Sequence, residues 1–432
     1  MITATRYTFF EGIMLFALGL GIFVSKPLIY SASGALIALA LARLVLDSDY
    51  RCKLTSTWLT PASIGLFLLG IIATAIHPGT TDEIAWTARK LLYLPLIPIL
   101  YIAFMKRRER ITALTGVFAG FWAAAFLTMQ NIDWHWTGGR VAGATWLVDV
   151  WGVLTGLFVT FLLPRLFNAS SAVSARVFTL ITTIAAFAML LLSGARGPLL
   201  GVLVSGLIYF MLYQRKTLVF MVLVVLFAYF PAKQWLPDQV NYLQTRMASI
   251  THVADPETTS GDFNPSNWVR LQLWKISIAQ SLDKLDHSPS TFLFGSGPNS
   301  QIQDIRSFFD SWTGISQDHK DRLISYGYPT NEIHNMYLDS IGKMGVVWTI
   351  ASLLMILGVV VKSLRMRRGE DQACLGVLLV STNFLVTGIT YDILPHWGTF
   401  FLVLLVMLAI HGKELDMPQP VTAPNTNTWQ SL

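Results

Sequence analysis

The sequence predicts an all-α, polytopic membrane protein with about 12 transmembrane helices and one large extramembrane helical loop. Three observations lead there: a mean hydropathy of +0.53, a charged fraction of only 13%, and apolar runs repeated along 432 residues. A soluble domain carries about 25% charged residues, so soluble and disordered classes are excluded. The net charge of +6 comes from short basic clusters between apolar runs. Such clusters are typical of membrane flanks, so we expect membrane lipids and no nucleic acid as partners.

Apolar runs of the length that a bilayer requires, about 20 helical residues, recur along the chain. They lie at 9–25, 27–45, 61–77, 91–105, 111–129, 146–164, 177–193, 198–213, 217–231, 335–361, 373–391 and 398–411. No small-residue cleavage site follows the first run, so we expect a retained helix rather than a signal peptide.

The basic residues orient these spans. With a cytoplasmic N-terminus, the inner connections hold clusters such as MKRRER (105–110) and SLRMRRG (363–369), and the short outer connections hold fewer charges. That asymmetry obeys the positive-inside rule. The chain then divides into helices 1–9 (1–231), a large outer loop (232–333), helices 10–12 (334–412) and a cytoplasmic, disordered tail (413–432).

The 232–333 loop is far longer than the usual limit of about 12–15 residues, which points to a functional or disordered segment. Within it, NWVRLQLWKISIAQSL (267–282) has helical periodicity. Its apolar face is predicted to comprise Trp268, Leu271, Trp274 and Ile278. We therefore expect a small folded cap on the outer membrane surface.

A histidine stands where a polar stretch meets the tenth span, in NEIHNMYLDSIGKMG (331–345). Thr330 or Asn331 is expected to cap a helix that begins by Ile333, which puts His334 in its first turn. The positive end of the helix dipole disfavours a protonated ring, so the imidazole could accept a proton. The alternative is an interfacial histidine that only hydrogen-bonds to backbone.

The same helix carries two glycines and an ion pair. Gly342 and Gly345 are expected to let it pack closely on a neighbour. Asp339 and Lys343, four residues apart, are expected to neutralise one another.

Two arginines on the predicted outer side are candidates for binding phosphate. Arg196 lies in SGARGP (193–198), a tight turn whose glycines permit unusual backbone angles, directly before a helix N-terminus. Arg270 lies on the polar face of the loop helix. The alternatives are a snorkelling arginine at the interface and a solvated helix face, respectively.

Weaker candidates for the same site share the outer side or a neighbouring position. They are Arg89, Lys90, Arg246, Asn335 and Asp392. The triplet DSD (47–49) resembles a metal-binding Asp-x-Asp motif, but it lies in a short inner connection without a folded domain around it. The chain has two cysteines and lacks a Walker A loop, a His-Glu-x-x-His motif and a Cys/His cluster. We therefore expect chemistry without metal, nucleotide or another cofactor.

Four stretches together resemble the O-antigen ligase/polymerase superfamily of bacterial inner-membrane glycosyltransferases: SGARGP, WVRLQLW, LFGSGP and HNMYLDSIGKMG. The family's histidine pattern matches His334, Asn335, Leu338 and Gly342. Its arginine–glycine turn matches Arg196–Gly197, although the preceding residue is often serine and is alanine here. Its loop arginine matches Arg270, before an aromatic residue. The resemblance extends from span seven to span eleven; the first 140 residues match in hydropathy alone.

The resemblance implies a fold like the membrane-embedded glycosyltransferase C class, in the inner membrane, with an active site facing the periplasm. The donor would be a glycan on undecaprenyl pyrophosphate, and the acceptor would be lipid A–core. Arg196 and Arg270 would hold the pyrophosphate, and His334 would take the proton of the acceptor hydroxyl as a general base.

Three alternatives remain at this stage. An O-antigen polymerase and a protein O-oligosaccharyltransferase would use the same donor with another acceptor. A transporter or flippase would require ionisable residues along a mid-membrane pathway. Few such residues occur in the predicted spans, apart from Asp149 and the pair formed by Asp339 and Lys343.

Overall fold

The computed structural model describes residues 2–76, 81–132, 140–167, 172–214, 265–298, 300–325, 327–328, 333–365, 372–394 and 397–411, with 233–234, 241 and 244 as isolated positions. Over these ranges the regular secondary structure is entirely helical, which confirms the all-α class. The helices are α1 (Ile2–Val24), α2 (Lys26–Leu46), α3 (Ser48–Ser56), α4 (Leu59–Ile76), α5 (Thr81–Lys90), α6 (Tyr93–Ala103), α7 (Arg107–Gln130), α8 (Val148–Leu166), α9 (Val173–Ser193), α10 (Arg196–Tyr213), α11 (Pro265–His287), α12 (Pro289–Phe294), α13 (Ser300–Ser311), α14 (Gln317–Ser325), α15 (Met336–Arg365), α16 (Gln372–Gly388) and α17 (Trp397–Ile410).

Eight helices in the described part of the chain are long and apolar enough to cross a bilayer. They are α1, α2, α4, α7, α8, α9, α10 and α15. Each has at least 18 residues, and at 1.5 Å per residue even 18 residues reach about 27 Å, close to the thickness of a hydrocarbon core. The protein is thus a multi-pass membrane protein, as expected.

The predicted count of twelve spans is not confirmed. Helix α6 has only 11 residues and extends about 16 Å, roughly half of a hydrocarbon core. Helices α16 and α17 have 17 and 14 residues. The span predicted at 217–231 lies outside the described residues.

Helices α1 and α7 approach each other closely because glycines face the contact. A Cβ atom at Gly116 would collide with the carbonyl oxygen of Phe16, and one at Gly120 would lie 2.7 Å from the carbonyl oxygen of Leu20. The two glycines are four residues apart on one face of α7. This is the small-residue spacing by which membrane helices bring their backbones together.

The short helix α17 lies at the centre of the bundle. All of residues 400–409 are buried, so α17 presents apolar side chains to protein on every side. Phe401 packs edge-to-face on Phe23 of α1, with ring centroids 5.1 Å apart. Because α17 faces protein rather than lipid, its length is not bound to the thickness of the membrane.

Helices α11, α13 and α14, together with Tyr328 and Ile333, form a separate small core. Its buried apolar residues are Trp268, Leu273, Ile276, Ile305, Phe309, Leu323, Tyr328 and Ile333. The predicted apolar face of α11 is correct at Trp268 but wrong at Ile278, which is 49% exposed. The buried face continues instead through Leu273 and Ile276, because the contacts that α11 makes with α13 and α15 rotate it away from the face expected from periodicity.

Helix α15 is interrupted at Gly345, whose φ of 84° is accessible mainly to glycine. At this point α15 meets the loop after α12: a Cβ atom at Gly345 would collide with the carbonyl oxygen of Leu293 and crowd the nitrogen of Gly295. The nitrogens of Ser296 and Gly297 donate to carbonyl oxygens of α15 at 3.0 and 3.1 Å. The close packing expected at this glycine is confirmed.

Candidate active site

His334 lies in a short connection directly before α15, not in its first turn. The helix begins at Met336, and Asn335 caps it: Asn335 Oδ1 accepts from the nitrogens of Tyr337 at 3.0 Å and Leu338 at 3.1 Å. The predicted start by Ile333 is therefore wrong, and the proposed caps Thr330 and Asn331 lie outside the described residues. An asparagine side chain that satisfies two N-terminal N–H groups fixes the helix start here.

The backbone at His334 adopts φ = 54°, in the left-handed region that non-glycine residues seldom occupy. It is held there by Asp392, whose carboxylate accepts from the nitrogen of His334 at 3.1 Å and from that of Asn335 at 2.8 Å. A non-glycine residue in this region costs on the order of 1–3 kcal/mol, and such positions cluster at functional sites. The position of the half-buried imidazole thus depends on an unusual backbone conformation that the hydrogen bonds to Asp392 stabilise.

Further hydrogen bonds fix the start of α15 to the segment that joins α16 and α17. We call residues 389–394 of that connection the 389–394 segment. Asn335 Nδ2 donates to the carbonyl oxygen of Ile389 at 3.1 Å, and the Ser340 hydroxyl donates to that of Leu394 at 2.9 Å. The first turn of α15 therefore cannot shift without disturbing this segment.

Arg196 is the first residue of α10 and follows a tight turn. Gly194 ends α9 with φ = 61°, and the Ser193 hydroxyl accepts from the nitrogen of Ala195 at 3.2 Å. Gly197 packs directly on the 389–394 segment: a Cβ atom there would collide with Thr390 and lie 2.8 Å from the ring of Tyr391. The glycine after Arg196 is therefore required for close approach, and it places the arginine beside this segment.

Arg270 reaches the same segment from α11. Its guanidinium carbon lies 5.4 Å from the ring centroid of Tyr391, a cation–π distance. Tyr391 is only 6% exposed. Burial and the nearby carboxylate of Asp149, to which its hydroxyl is hydrogen-bonded, raise the pKa of Tyr391 to about 12. The side chain of Tyr391 is thus uncharged where it contacts the guanidinium of Arg270.

Asp149 connects Tyr391 to a further arginine, Arg140. Arg140 forms an ion pair with Asp149 and donates through Nε to the carbonyl oxygen of Ser193 at 3.1 Å. From the sequence, Asp149 was an isolated charge in a span. In the structure it lies in the first turn of α8 and is paired with Arg140. The Arg140 bond also braces the turn that carries Arg196.

The 389–394 segment thus joins the three residues on which the sequence hypothesis rests. Asp392 holds the backbone of His334, Tyr391 lies under Arg270, and Gly197 beside Arg196 packs on Tyr391. Sequence reasoning placed Asp392 among the weaker candidates and missed Tyr391. The available signal was a polar TYD triplet (390–392) in a short connection between two apolar runs.

Comparison with known protein families supports the family resemblance. Residues 181–353 match the family model described as O-antigen ligase. This segment is similar to that family. It contains Arg196, Arg270 and His334, whereas Tyr391 and Asp392 lie beyond it. No curated protein matches the chain.

Two of the weaker candidates lie on α5 and not on the elements around the 389–394 segment. Arg89 and Lys90 end α5 and contact the rings of Tyr30 and Trp86, respectively. Arg246 lies outside the described residues. On α15, Lys343 forms the expected ion pair with Asp339, with Nζ 2.6 Å from Oδ1.

The DSD triplet serves local structure. Asp47 caps α3 by accepting from the nitrogen of Tyr50 at 3.0 Å, which together with Arg43 lowers the pKa of its carboxyl group. Asp49 forms an ion pair with Lys53 at 2.6 Å. Among the described residues there is no group of three His, Cys, Asp or Glu side chains arranged to hold a metal ion.

Under the roles that the family resemblance implies, replacing Asp392 by asparagine should reduce turnover without abolishing binding of the lipid-linked donor. The amide keeps one acceptor oxygen but turns an NH₂ group towards a backbone N–H, so one of the two bonds that shape the His334 backbone is lost. Losing such a bond should lower kcat by about tenfold or more. We expect the donor KM to stay unchanged, because the substitution leaves in place Tyr391 and Gly197, which adjoin the two arginines.

The control for Asp392→Asn is Asp321→Asn, at an exposed position on α14. The measurement is kcat and KM in a glycan-transfer assay, with thermal unfolding of both variants. An equal loss in the two variants, or a loss in Asp392→Asn that follows only its unfolding temperature, would show that Asp392 does not position His334.

Proposed function

We propose that this protein is an O-antigen ligase that transfers a glycan from undecaprenyl pyrophosphate to a sugar hydroxyl of lipid A–core. The match of residues 181–353 to the O-antigen ligase family model supports an enzyme of ligase or polymerase type. The observation that carries the proposal is the shared contact of the His334, Arg196 and Arg270 segments with residues 389–394.

In the proposed reaction, the acceptor hydroxyl oxygen attacks the anomeric carbon of the donor glycan and forms the new glycosidic bond. The bond from that carbon to the pyrophosphate oxygen breaks, and its electron pair leaves with the pyrophosphate. His334 accepts the hydroxyl proton as the oxygen attacks. The bonds, charges and protons of this reaction balance, so it requires no nucleotide and no redox partner.

The arginines would stabilise the leaving group. A guanidinium offers a planar fork that binds two phosphate oxygens at once. Two such forks, on α10 and α11, would balance the charge that develops on the pyrophosphate as the glycosidic bond breaks. We propose that Tyr391 fixes the direction of the Arg270 fork, because its ring lies under that guanidinium.

We propose that the site opens to the periplasm. The basic clusters of the predicted inner connections support this orientation. In that orientation a donor whose lipid lies in the bilayer presents its pyrophosphate and glycan at the level of the His334 connection. Two ion pairs, Asp149 with Arg140 and Asp339 with Lys343, argue against a transporter, because they involve the charges that could otherwise line a pathway through the membrane.

The decisive experiment combines the purified protein with the lipid-linked glycan and lipid A–core, without nucleotide and with excess EDTA. We expect the joined product, detected by mass spectrometry, at the same rate as without EDTA. A second reaction contains the donor alone. Longer lipid-linked glycans in that reaction, with no transfer to lipid A–core, would identify a polymerase. Loss of transfer in EDTA would contradict the metal-independent mechanism.

A further inference from the structure

A second group of basic residues is contributed by three helices. Its members come from the start of α2, the end of α5 and the third turn of α15. We call it the lysine–arginine cluster, and it consists of Lys26, Arg89, Lys90 and Lys343. Arg89 lies against the ring of Tyr30, four residues after Lys26, so the end of α5 meets the start of α2. Burial and the charges of the three other members lower the pKa of Lys90 from 10.5 to about 8.

Three cations of the cluster each lie against an aromatic ring. The distances from the charged group to the ring centroid are 5.1 Å for Lys26 with Trp146, 5.5 Å for Arg89 with Tyr30 and 5.3 Å for Lys90 with Trp86. Tryptophan and tyrosine concentrate where a membrane protein crosses the level of the lipid headgroups. The lysine–arginine cluster therefore lies at the depth where headgroup phosphates are found.

A buried amide adjoins the cluster. Gln301 on α13 is 1% exposed and lies over Gly342, next to Lys343 in the chain. Both its Nε2 and Oε1 atoms are buried without a hydrogen-bond partner among the described residues. A buried amide without partners costs free energy, which a polar ligand or a water molecule at this position would relieve.

One carboxylate connects the elements that carry this arrangement. Glu83 of α5 is 2% exposed and accepts from the nitrogen of Ser300, the first residue of α13, at 3.1 Å. The contact fixes α5, which ends in Arg89 and Lys90, against the start of α13, which carries Gln301. Lys343 is oriented by its ion pair with Asp339. The site is therefore held in place by tertiary contacts before any ligand binds.

The cluster and the arginines of the candidate active site are built by different elements. Arg196 and Arg270 adjoin the 389–394 segment through α10 and α11. Lys343 lies nine positions after His334, about 13 Å farther along if the stretch is treated as helix. A reaction that joins two lipid-linked molecules brings two anionic headgroups to one enzyme, and a second basic site at headgroup depth could hold the other one.

We propose that the lysine–arginine cluster, with Gln301, binds a phosphate group of the acceptor lipid and so holds lipid A–core for attack on the donor. The inference rests on the proposed function, because it names the substrate that the second site takes. Lipid A–core carries phosphate groups close to its acyl chains, at the depth of the cluster. Lysine and arginine side chains would bind these oxygens by charge-assisted hydrogen bonds, and the Gln301 amide would donate one more.

The test compares Lys90→Gln with Lys275→Gln, an exposed position on α11 that serves as the control. Transfer is measured in nanodiscs of phosphatidylcholine, with native and with enzymatically dephosphorylated lipid A–core. For Lys90→Gln we expect the KM of the native acceptor to rise about tenfold or more, with the donor KM unchanged. With the dephosphorylated acceptor, wild type and Lys90→Gln should have equal, high KM values.

The pH dependence provides a second readout. Because the pKa of Lys90 is lowered to about 8 in the free protein, its positive charge is lost as the pH rises from 7 to 9. The acceptor KM of the wild type should rise over this interval, and that of Lys90→Gln should rise less. The charged groups around Lys90 that share the site are Arg89, Lys26 and Lys343 with its partner Asp339.

Several results would overturn the inference. A changed donor KM in Lys90→Gln would assign the cluster to the donor pyrophosphate. A defect that appears only when anionic phospholipid is added to the nanodiscs would assign it to bilayer lipid. An unchanged acceptor KM in Lys90→Gln would show that the cluster binds no substrate. Equilibrium binding of fluorescent lipid A–core to the same proteins tests the site even if the wild type transfers no glycan, which would refute the proposed function alone.

Discussion

His334→Ala should lose a factor of about 10²–10⁴ in the rate of glycan transfer, the usual contribution of a general base. At about 1.36 kcal/mol per decade, this corresponds to roughly 3–5 kcal/mol of transition-state stabilisation. Donor binding should survive, because the proposed pyrophosphate contacts come from arginines. His334→Gln should be nearly as impaired, since an amide forms hydrogen bonds but cannot take up the proton.

The left-handed backbone at this position makes a sharper control available. Asparagine tolerates positive φ better than alanine or glutamine does. His334→Asn should therefore keep the fold and the two hydrogen bonds that the backbone nitrogens of residues 334 and 335 donate to Asp392, while lacking the base. If the proposal is right, His334→Asn unfolds at the wild-type temperature and is as inactive as His334→Ala. A folded His334→Ala protein that transfers glycan at nearly the wild-type rate would show that this histidine has only a structural role.

The second large effect is expected at the two arginines. Arg196→Lys and Arg270→Lys retain the positive charge but lose the bidentate fork, and at Arg270 the stacking on Tyr391 weakens as well. We expect each substitution to lower kcat/KM for the donor by about tenfold or more, with a larger loss in the double variant. The measurement is initial-rate kinetics over a range of donor concentrations.

Arg306→Lys, at an exposed position on α13, is the matched control for the arginine variants. It should behave like the wild type. If Arg196→Lys and Arg270→Lys did so too, the proposed pyrophosphate clamp would be wrong. If the acceptor KM changed instead of the donor KM, the arginines would belong to the acceptor site, and the lysine–arginine cluster would require another ligand.

The sequence was sufficient for features that depend on local patterns. The long apolar runs predicted the eight helices of the described residues that can cross a bilayer, because an uninterrupted span is readable from composition alone. The SGARGP and HNMYLDSIGKMG motifs predicted the family that the comparison found over residues 181–353. Both conclusions rest on contiguous residues, so no tertiary information was needed.

Predictions from the sequence were less reliable where competing interactions determine where a helix begins and what it packs against. Periodicity cannot tell which of two polar residues caps a helix, and the Asn335 side chain moved the start of α15 to Met336. Nor can periodicity tell whether an apolar helix faces lipid or protein. Helix α17 is buried on all sides, and so it can be shorter than a span.

Only the tertiary structure decided which residues meet. The 389–394 segment is 55 or more positions after His334 and nearly 200 after Arg196 in the chain, yet Asp392 shapes the histidine backbone and Tyr391 supports Arg270. The packing of Gly197 on the same segment likewise follows from how α10 meets α16. Contacts between residues this far apart depend on how the helices assemble, and no local pattern in the sequence specifies that assembly.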